Sequence, residues 1–178
     1  MKILFMCTAN SCRSVLCEGV FNHLAPAGMS AVSSGSFPSG RLNPRAVSTL
    51  QGLGIDTSAL HSKGSESFQN NPPDIVITVC DKAGGEPCPV YFGAAIKSHW
   101  GLADPSDIEG SDEEVQAAFD ATVAKIHQRL SAFFALGLGA LGRPCGPATR
   151  IGSDWGAVRV CQARKLQTIS TTRSETMR

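Results

Sequence analysis

The sequence predicts an α/β protein, a three-layer sandwich with a central four-stranded parallel sheet. Three observations carry that reading. Apolar strand-like runs alternate with segments of helical period over residues 1–136, the order that builds a parallel sheet covered by helices. The run Asp74-Ile75-Val76-Ile77-Thr78-Val79 is apolar enough to be covered on both faces, as a central parallel strand must be. From Asp112 to about Leu136, the residues Val115, Phe119, Val123, Ile126, Leu130, Phe133 and Phe134 recur at helical spacing, giving one apolar stripe to lay against a sheet.

Taken in order, Lys2 to Met6 reads as the first strand. Ser14 to Leu24 reads as an amphipathic helix with Val15, Gly19, Val20 and Leu24 on its inner side, and Ala31 to Gly35 as a short second strand. Asn43-Pro44 opens a second helix through Leu53, because Asn accepts from first-turn amides and Pro has no N–H to leave unpaired there; Gly54 stops it. Pro72-Pro73 sets off the third strand. A Gly- and Pro-bearing loop from Asp81 to Gly93 leads to a fourth strand, Ile96 to Trp100, and then to the loop Gly101-Leu102-Ala103-Asp104-Pro105. The last helix starts with acidic residues, which suit the positive end of a helix dipole.

With 178 residues, 42% of them hydrophobic and 17% charged, the chain holds one core-forming domain. No window approaches the roughly 18 apolar residues of a membrane span, and the chain opens on a strand pattern, so a cytoplasmic protein with no membrane partner is expected. Seven cysteines, an odd number, fit reduced or redox-active thiols better than a secreted disulfide scaffold. Residues 1–136 carry nine Lys/Arg against thirteen Asp/Glu, and residues 137–178 carry seven against two. The basic residues of the tail are scattered and its sole aromatic is Trp155, so nucleic acid is not an expected partner. After Leu136, Gly137, Gly139, Gly142, Gly146, Gly152 and Gly156, with Pro144 and Pro147, interrupt every period. The expected organisation is a domain at 1–136 and an atypical, poorly ordered tail at 137–178.

The chemistry begins at the end of the first strand. In Cys7-Thr8-Ala9-Asn10-Ser11-Cys12-Arg13-Ser14, a Cys-x5-Arg-Ser loop enters a helix. Successive backbone N–H groups curling into a helix N-terminus, closed by a guanidinium fork, suit a tetrahedral oxyanion. The same positive end favours a thiolate, so Cys7 is expected to be the charged nucleophile at neutral pH, with the Ser14 hydroxyl donating to its sulfur. Thr8, Ala9 and Ser11 are small enough to let the backbone approach the anion. In a parallel sheet the ligand sits at the carboxyl ends of the strands, so the loops after strands one, three and four bring Cys7, Cys80 and Asp104 to one site.

These residues, together with Thr78-Val79-Cys80-Asp81, Cys88-Pro89 and His99-Trp100-Gly101-Leu102-Ala103-Asp104-Pro105, resemble the arsenate reductases of the low-molecular-weight tyrosine phosphatase fold. The resemblance covers residues 1 to about 136. It implies that Cys7 attacks arsenate held by the loop amides and Arg13, and that Asp104 protonates the departing oxygen. It further implies a relay: Cys80 attacks the Cys7 sulfur and arsenite leaves, then Cys88 attacks Cys80, leaving a disulfide for an external dithiol to reduce. The substrate-binding set is then Thr8, Ala9, Asn10, Ser11, Cys12, Arg13 and Ser14, with phosphate or sulfate as oxyanion mimics. The expected reductant is thioredoxin, with glutathione and glutaredoxin as the alternative, and no cofactor is bound; a monomer suits a site that must admit a protein.

Some members of that family seat a potassium ion on Asn, Glu, Ser and Asp side chains. Asn10, Glu18 and Ser33 match, but Gly64 stands at the Asp position and Lys63 is placed to fill the space, so no metal is expected. Asn10 and Ser33 are expected to brace the loop, His61 and His99 to be structural, Cys12 and Cys17 to pack, and Cys145 and Cys161 to be free thiols. The alternative function is that of a low-molecular-weight protein tyrosine phosphatase or small phosphoester hydrolase, which needs only Cys7, Arg13 and Asp104. Such enzymes set aromatic side chains beside the acid, whereas here Pro105-Ser106-Asp107 follows it and the only Tyr is Tyr91. A metal sensor is disfavoured by the wide Cys80 to Cys88 spacing and by an arginine in the loop.

Overall fold

The computed structural model describes residues 1–80, 92, 93 and 95–137. Four strands, β1 (Lys2–Cys7), β2 (Ser30–Gly35), β3 (Ile75–Thr78) and β4 (Ile96–His99), form one parallel sheet in the order β2-β1-β3-β4. Among the described residues, three α-helices accompany them: α1 (Arg13–Leu24), α2 (Pro44–Gly52) and α3 (Asp112–Ala135). Alternation along β1 divides its side chains between two layers. Ile3, Phe5 and Cys7 join Ile75, Ile77, α1, α2 and α3 in the larger core, whereas Leu4, Met6 and Val76 meet Phe68 and Phe92 on the opposite face.

The larger core is aromatic where the sheet meets α1 and α3. Phe5 packs 5.9 Å from Phe21 and 5.8 Å from Trp100, and Trp100 lies 6.1 Å from Phe133. Burying each such ring stabilises by about 2–3 kcal/mol, and the cluster ties the strand before the Asp104 loop to β1 and α3.

The element boundaries follow their caps. The Asn43 side chain accepts from the Arg45 and Ala46 amides at the start of α2, and Gly54, at φ +74, turns the chain out of it. Ser111 and Glu114 form a reciprocal capping box at the start of α3. One expectation is corrected. Helix α1 does not show a single apolar face: every residue from Ser14 to Phe21 is buried while Leu24 is 36% exposed. Its first two turns sit between the sheet, α2, α3 and the Cys7 loop, so even Glu18 is enclosed.

Register brings the functional ends together. Cys7 pairs with Gly35, Met6 with Thr78, and Thr78 with His99. Beyond the strands, the Trp100 N–H donates to the Thr78 carbonyl at 2.7 Å and the Leu102 N–H to that of Val79 at 2.9 Å, carrying the chain toward Asp104 over the carboxyl edge. The expected tail, apart from Gly137, lies outside the described residues. None of the helices among the described residues is long and apolar enough to cross a membrane.

Candidate active site

Cys7 ends β1 with its sulfur enclosed. The Asn10 N–H donates to it at 3.1 Å and the Ser14 Oγ lies 3.0 Å away. The loop that follows is held from outside by its carbonyls. Those of Cys7, Thr8, Ala9 and Ser11 accept from the N–H groups of Ser36, Phe37, Ser39 and Asn43 at 3.1, 2.8, 2.9 and 2.8 Å. A trans peptide directs its N–H opposite to its C=O, so the Thr8, Ala9, Asn10 and Cys12 amides turn to the side of the sulfur. They form a concavity of donors at the N-terminus of α1, suited to an anion. Gly35 is required beneath it: a Cβ there would lie 2.5 Å from the Thr8 carbonyl oxygen.

Asn10 is fully buried and takes φ 46, the sole non-glycine among the described residues at positive φ. Its side chain justifies that conformation. Nδ2 donates to Ser14 Oγ at 2.9 Å and Ser33 Oγ at 2.8 Å, while Oδ1 accepts from the Lys63 N–H at 2.7 Å. Asn10 and Ser33 therefore brace the loop as expected.

Arg13 begins α1 and reaches over the concavity. Nη1 donates to the Leu102 carbonyl at 3.2 Å and Nη2 stands 2.5 Å from Asp104 Oδ2. The other Asp104 oxygen accepts from the Ser106 N–H at 3.1 Å, capping the short turn Pro105–Asp107. Cys80, just past β3, is buried with its sulfur 3.6 Å from Thr8 Oγ1. Cys7, Cys12 and Cys17 are free thiols. Cys7, Thr8, Ala9, Asn10, Ser11, Cys12, Arg13, Ser14, Cys80 and Asp104 thus share one edge of the sheet; Cys88 lies outside the described residues, as do Cys145 and Cys161.

Cys12 stands buried at the N-cap position of α1 without a capping side-chain bond, and burial pushes its thiol up to about 12, with the Ser106 hydroxyl pulling the other way. Burial also raises Cys17. Both stay neutral near pH 7 and pack, as expected. His61 Nδ1 meets the Ala59 carbonyl at 3.1 Å, a contact within its own loop, and His99 Nδ1 meets Thr78 Oγ1 at 2.8 Å, joining the ends of β4 and β3.

A potassium seat does not fit. Gly64 supplies no carboxylate, the space a side chain would take there is filled by the Glu66 carboxylate, and Lys63 Nζ stands 3.4 Å from Glu18 Oε2. Two residues at the site had no sequence signal for their tasks. Asn43, legible as a helix cap, also joins the Ser11 carbonyl to Ser106 Oγ. Arg129, on α3, donates to the Trp100 and Gly101 carbonyls at 2.5 and 3.2 Å; nothing in a polar helix position announces a partner 28 residues earlier.

Comparison with known proteins adds to this geometry. The family described as low molecular weight phosphotyrosine protein phosphatase matches residues 2–142. The chain belongs to that family. Within it, the likeness is to arsenate reductases. An arsenate reductase from Bacillus subtilis (strain 168) is 36% identical over 131 residues, 74% of this chain and 93% of the relative. A glutaredoxin arsenate reductase from Synechocystis sp. is 36% identical over 104 residues, 58% of this chain and 78% of the relative. Among solved structures, an arsenate reductase in the phosphate binding state superimposes with TM-score 0.57 at 27% identity, over 73% of this chain and 96% of that one. The α/β sandwich, the family and its arsenate reductase side all stand as the sequence led us to expect.

Proposed function

We propose that this protein reduces arsenate to arsenite in the cytoplasm, as part of arsenic detoxification, through Cys7, Cys80 and Cys88. The single observation that carries the reading is the Cys80 thiol, buried beside Thr8 at the edge of the Cys7 loop. An enzyme that finishes with water has no use for a second thiol there.

In the proposed sequence the inward amides and Arg13 hold the arsenate oxygens. The Cys7 sulfur attacks arsenic, and an arsenate oxygen leaves as water with a proton from Asp104, giving a Cys7 thiol-arseno adduct. The Cys80 thiolate then attacks the Cys7 sulfur. The S–As bond breaks with its electron pair on arsenic, which leaves as arsenite, and a Cys7–Cys80 disulfide remains. Cys88 attacks Cys80, Cys7 is released as the thiolate, and a Cys80–Cys88 disulfide passes to the reductant. Two thiols are oxidised for each arsenate reduced. We assign thioredoxin as that reductant, acting on a monomer; the Cys80 to Cys88 interval is one residue longer than in the thioredoxin-coupled enzymes the sequence resembles, so glutathione with glutaredoxin is the arm to test against it.

The second reading is hydrolysis of a phosphotyrosine or small phosphoester, favoured by the paired Arg13 and Asp104, which such chemistry would use with Cys7 alone. One assay separates them. Arsenite formation is measured with thioredoxin, thioredoxin reductase and NADPH in one tube, and with glutathione and glutaredoxin in another. Turnover is expected in the first and is lost in Cys7→Ser. Turnover only in the second reassigns the reductant. Silence in both, with phosphoester hydrolysis, overturns the reductase reading.

A further inference from the structure

We propose that Lys63 is a positioning residue whose ammonium, acting through Glu18, Ser33 and Asn10, fixes the oxyanion loop. The proposal rests on the oxyanion-cradle part of the reading above and extends it to a residue remote from the reacting atoms.

The observations form a closed ring. Glu18 lies on α1 in the core, 7% exposed, where an unpaired carboxylate would be costly. Two groups compensate it: the Ser33 hydroxyl donates to Oε2 at 2.5 Å, and Lys63 Nζ stands 3.4 Å from the same oxygen. The Lys63 side chain is itself only 11% exposed. Because the carboxylate accepts from Ser33, the Ser33 oxygen is left to accept from Asn10 Nδ2. That sets the amide of Asn10 one way round, with Oδ1 toward the Lys63 N–H at 2.7 Å. Asn10 in turn donates through its backbone to Cys7 Sγ and through Nδ2 to Ser14 Oγ.

Lys63 thus grips Asn10 twice, directly through its main chain and at the end of a chain of donors through its charge. Without the ammonium, the Glu18 carboxylate is left in the core with the Ser33 hydroxyl but no opposite charge beside it, which is costly. Relieving that cost draws the carboxylate toward water and away from Ser33, so the direction of the Ser33 and Asn10 bonds is no longer imposed. Asn10, held at positive φ by those bonds, is the residue that yields, and the loop amides lose their common aim.

The test uses the full chain and two readouts, the dissociation constant of inorganic phosphate and the NMR resonances of the Asn10 side-chain amide. Lys63→Met is expected to move the Asn10 resonances and to weaken phosphate on the order of tenfold, the worth of one hydrogen bond to an ionised group. Lys63→Arg, which keeps the charge, should stay within about threefold of wild type. Glu18→Gln/Lys63→Met removes both charges while leaving an acceptor for Ser33, and should restore both readouts. A purely steric role for Lys63 would not be rescued from Glu18. The proposal is overturned if Lys63→Met leaves the Asn10 resonances in place, or if the double variant binds as weakly as the single one. Should Lys63→Met fail to fold, the double variant decides by itself, and displaced Asn10 resonances there overturn the proposal. A wild type that bound no phosphate would sink the oxyanion reading instead, with the Asn10 resonances still deciding the part played by Lys63.

Discussion

Burial pushes the Cys12 thiol up to about 12 from an ordinary value of 9.0, and that difference has a thermodynamic sign. Above pH 9 the unfolded chain releases the Cys12 proton while the folded chain keeps it. The folded state then binds more protons, so stability falls as pH rises from 9 toward 12, by at most about 1.4 kcal/mol per pH unit from this group. Below pH 9 both states hold the proton and Cys12 contributes no slope. Denaturant midpoints measured from pH 8 to 11 should therefore decline in the wild type and decline less steeply in Cys12→Ala. Some slope should persist, since burial raises Cys17 as well. An unchanged slope in the variant would mean that Cys12 ionises as readily folded as unfolded. The same comparison separates the two sulfurs of the loop. Cys12 is enclosed at the N-cap position of α1, whereas the sulfur of Cys7 lies against the Ser14 hydroxyl and accepts from the Asn10 N–H, surroundings that suit the nucleophile proposed above.

Helix α3 reaches the site through one side chain. Arg129 binds the Trp100 and Gly101 carbonyls, and the chain runs from there through Leu102, itself held by Arg13, to Asp104. Arg129→Met keeps the stem against the core but releases both carbonyls. We expect kcat for arsenate reduction to fall between about tenfold and a hundredfold, the cost of displacing a catalytic group by an ångström or so. Phosphate affinity should change little, because the loop proposed to hold the anion hangs on Asn10, Gly35 and Asn43 instead. A loss confined to KM would contradict this division. Elements of this kind are half legible in sequence. The strands, α2 and α3 were readable because apolar period and capping residues such as Asn43 and Ser111 are local signals. The all-round burial of α1 was not, since Ser14 and Glu18 are polar and become buried only through partners from other segments, Cys7 and Asn10 for Ser14 and Ser33 and Lys63 for Glu18. The cradle was legible for a related reason: Cys7 and Arg13 are fixed by one short loop, whereas the grip of Arg129 and the Asn43 bridge depend on elements brought together only by folding.

At the scale of the whole molecule, the parallel order β2-β1-β3-β4 is what makes a thiol relay practicable. Adjacent β1 and β3 carry Cys7 and Cys80 out at the same edge, and Thr8 already touches the Cys80 sulfur. Passing the oxidation on then requires a third thiol from the following segment, which the proposed function assigns to Cys88. Cys88→Ala leaves the first two steps intact and removes the third. Mixed with excess arsenate and the thioredoxin system, this variant should yield at most one arsenite per enzyme and then stop. Peptide mapping by mass spectrometry should find Cys7 joined to Cys80, because the sheet holds those two loops side by side and the thiol assigned to resolve the bond is gone. Dithiothreitol, small enough to enter where a protein dithiol is excluded, should restart the variant slowly. Sustained turnover of Cys88→Ala with thioredoxin would show instead that the reductant resolves the Cys7–Cys80 bond directly, and that the site is open enough at this edge of the sheet for a protein thiol to reach it.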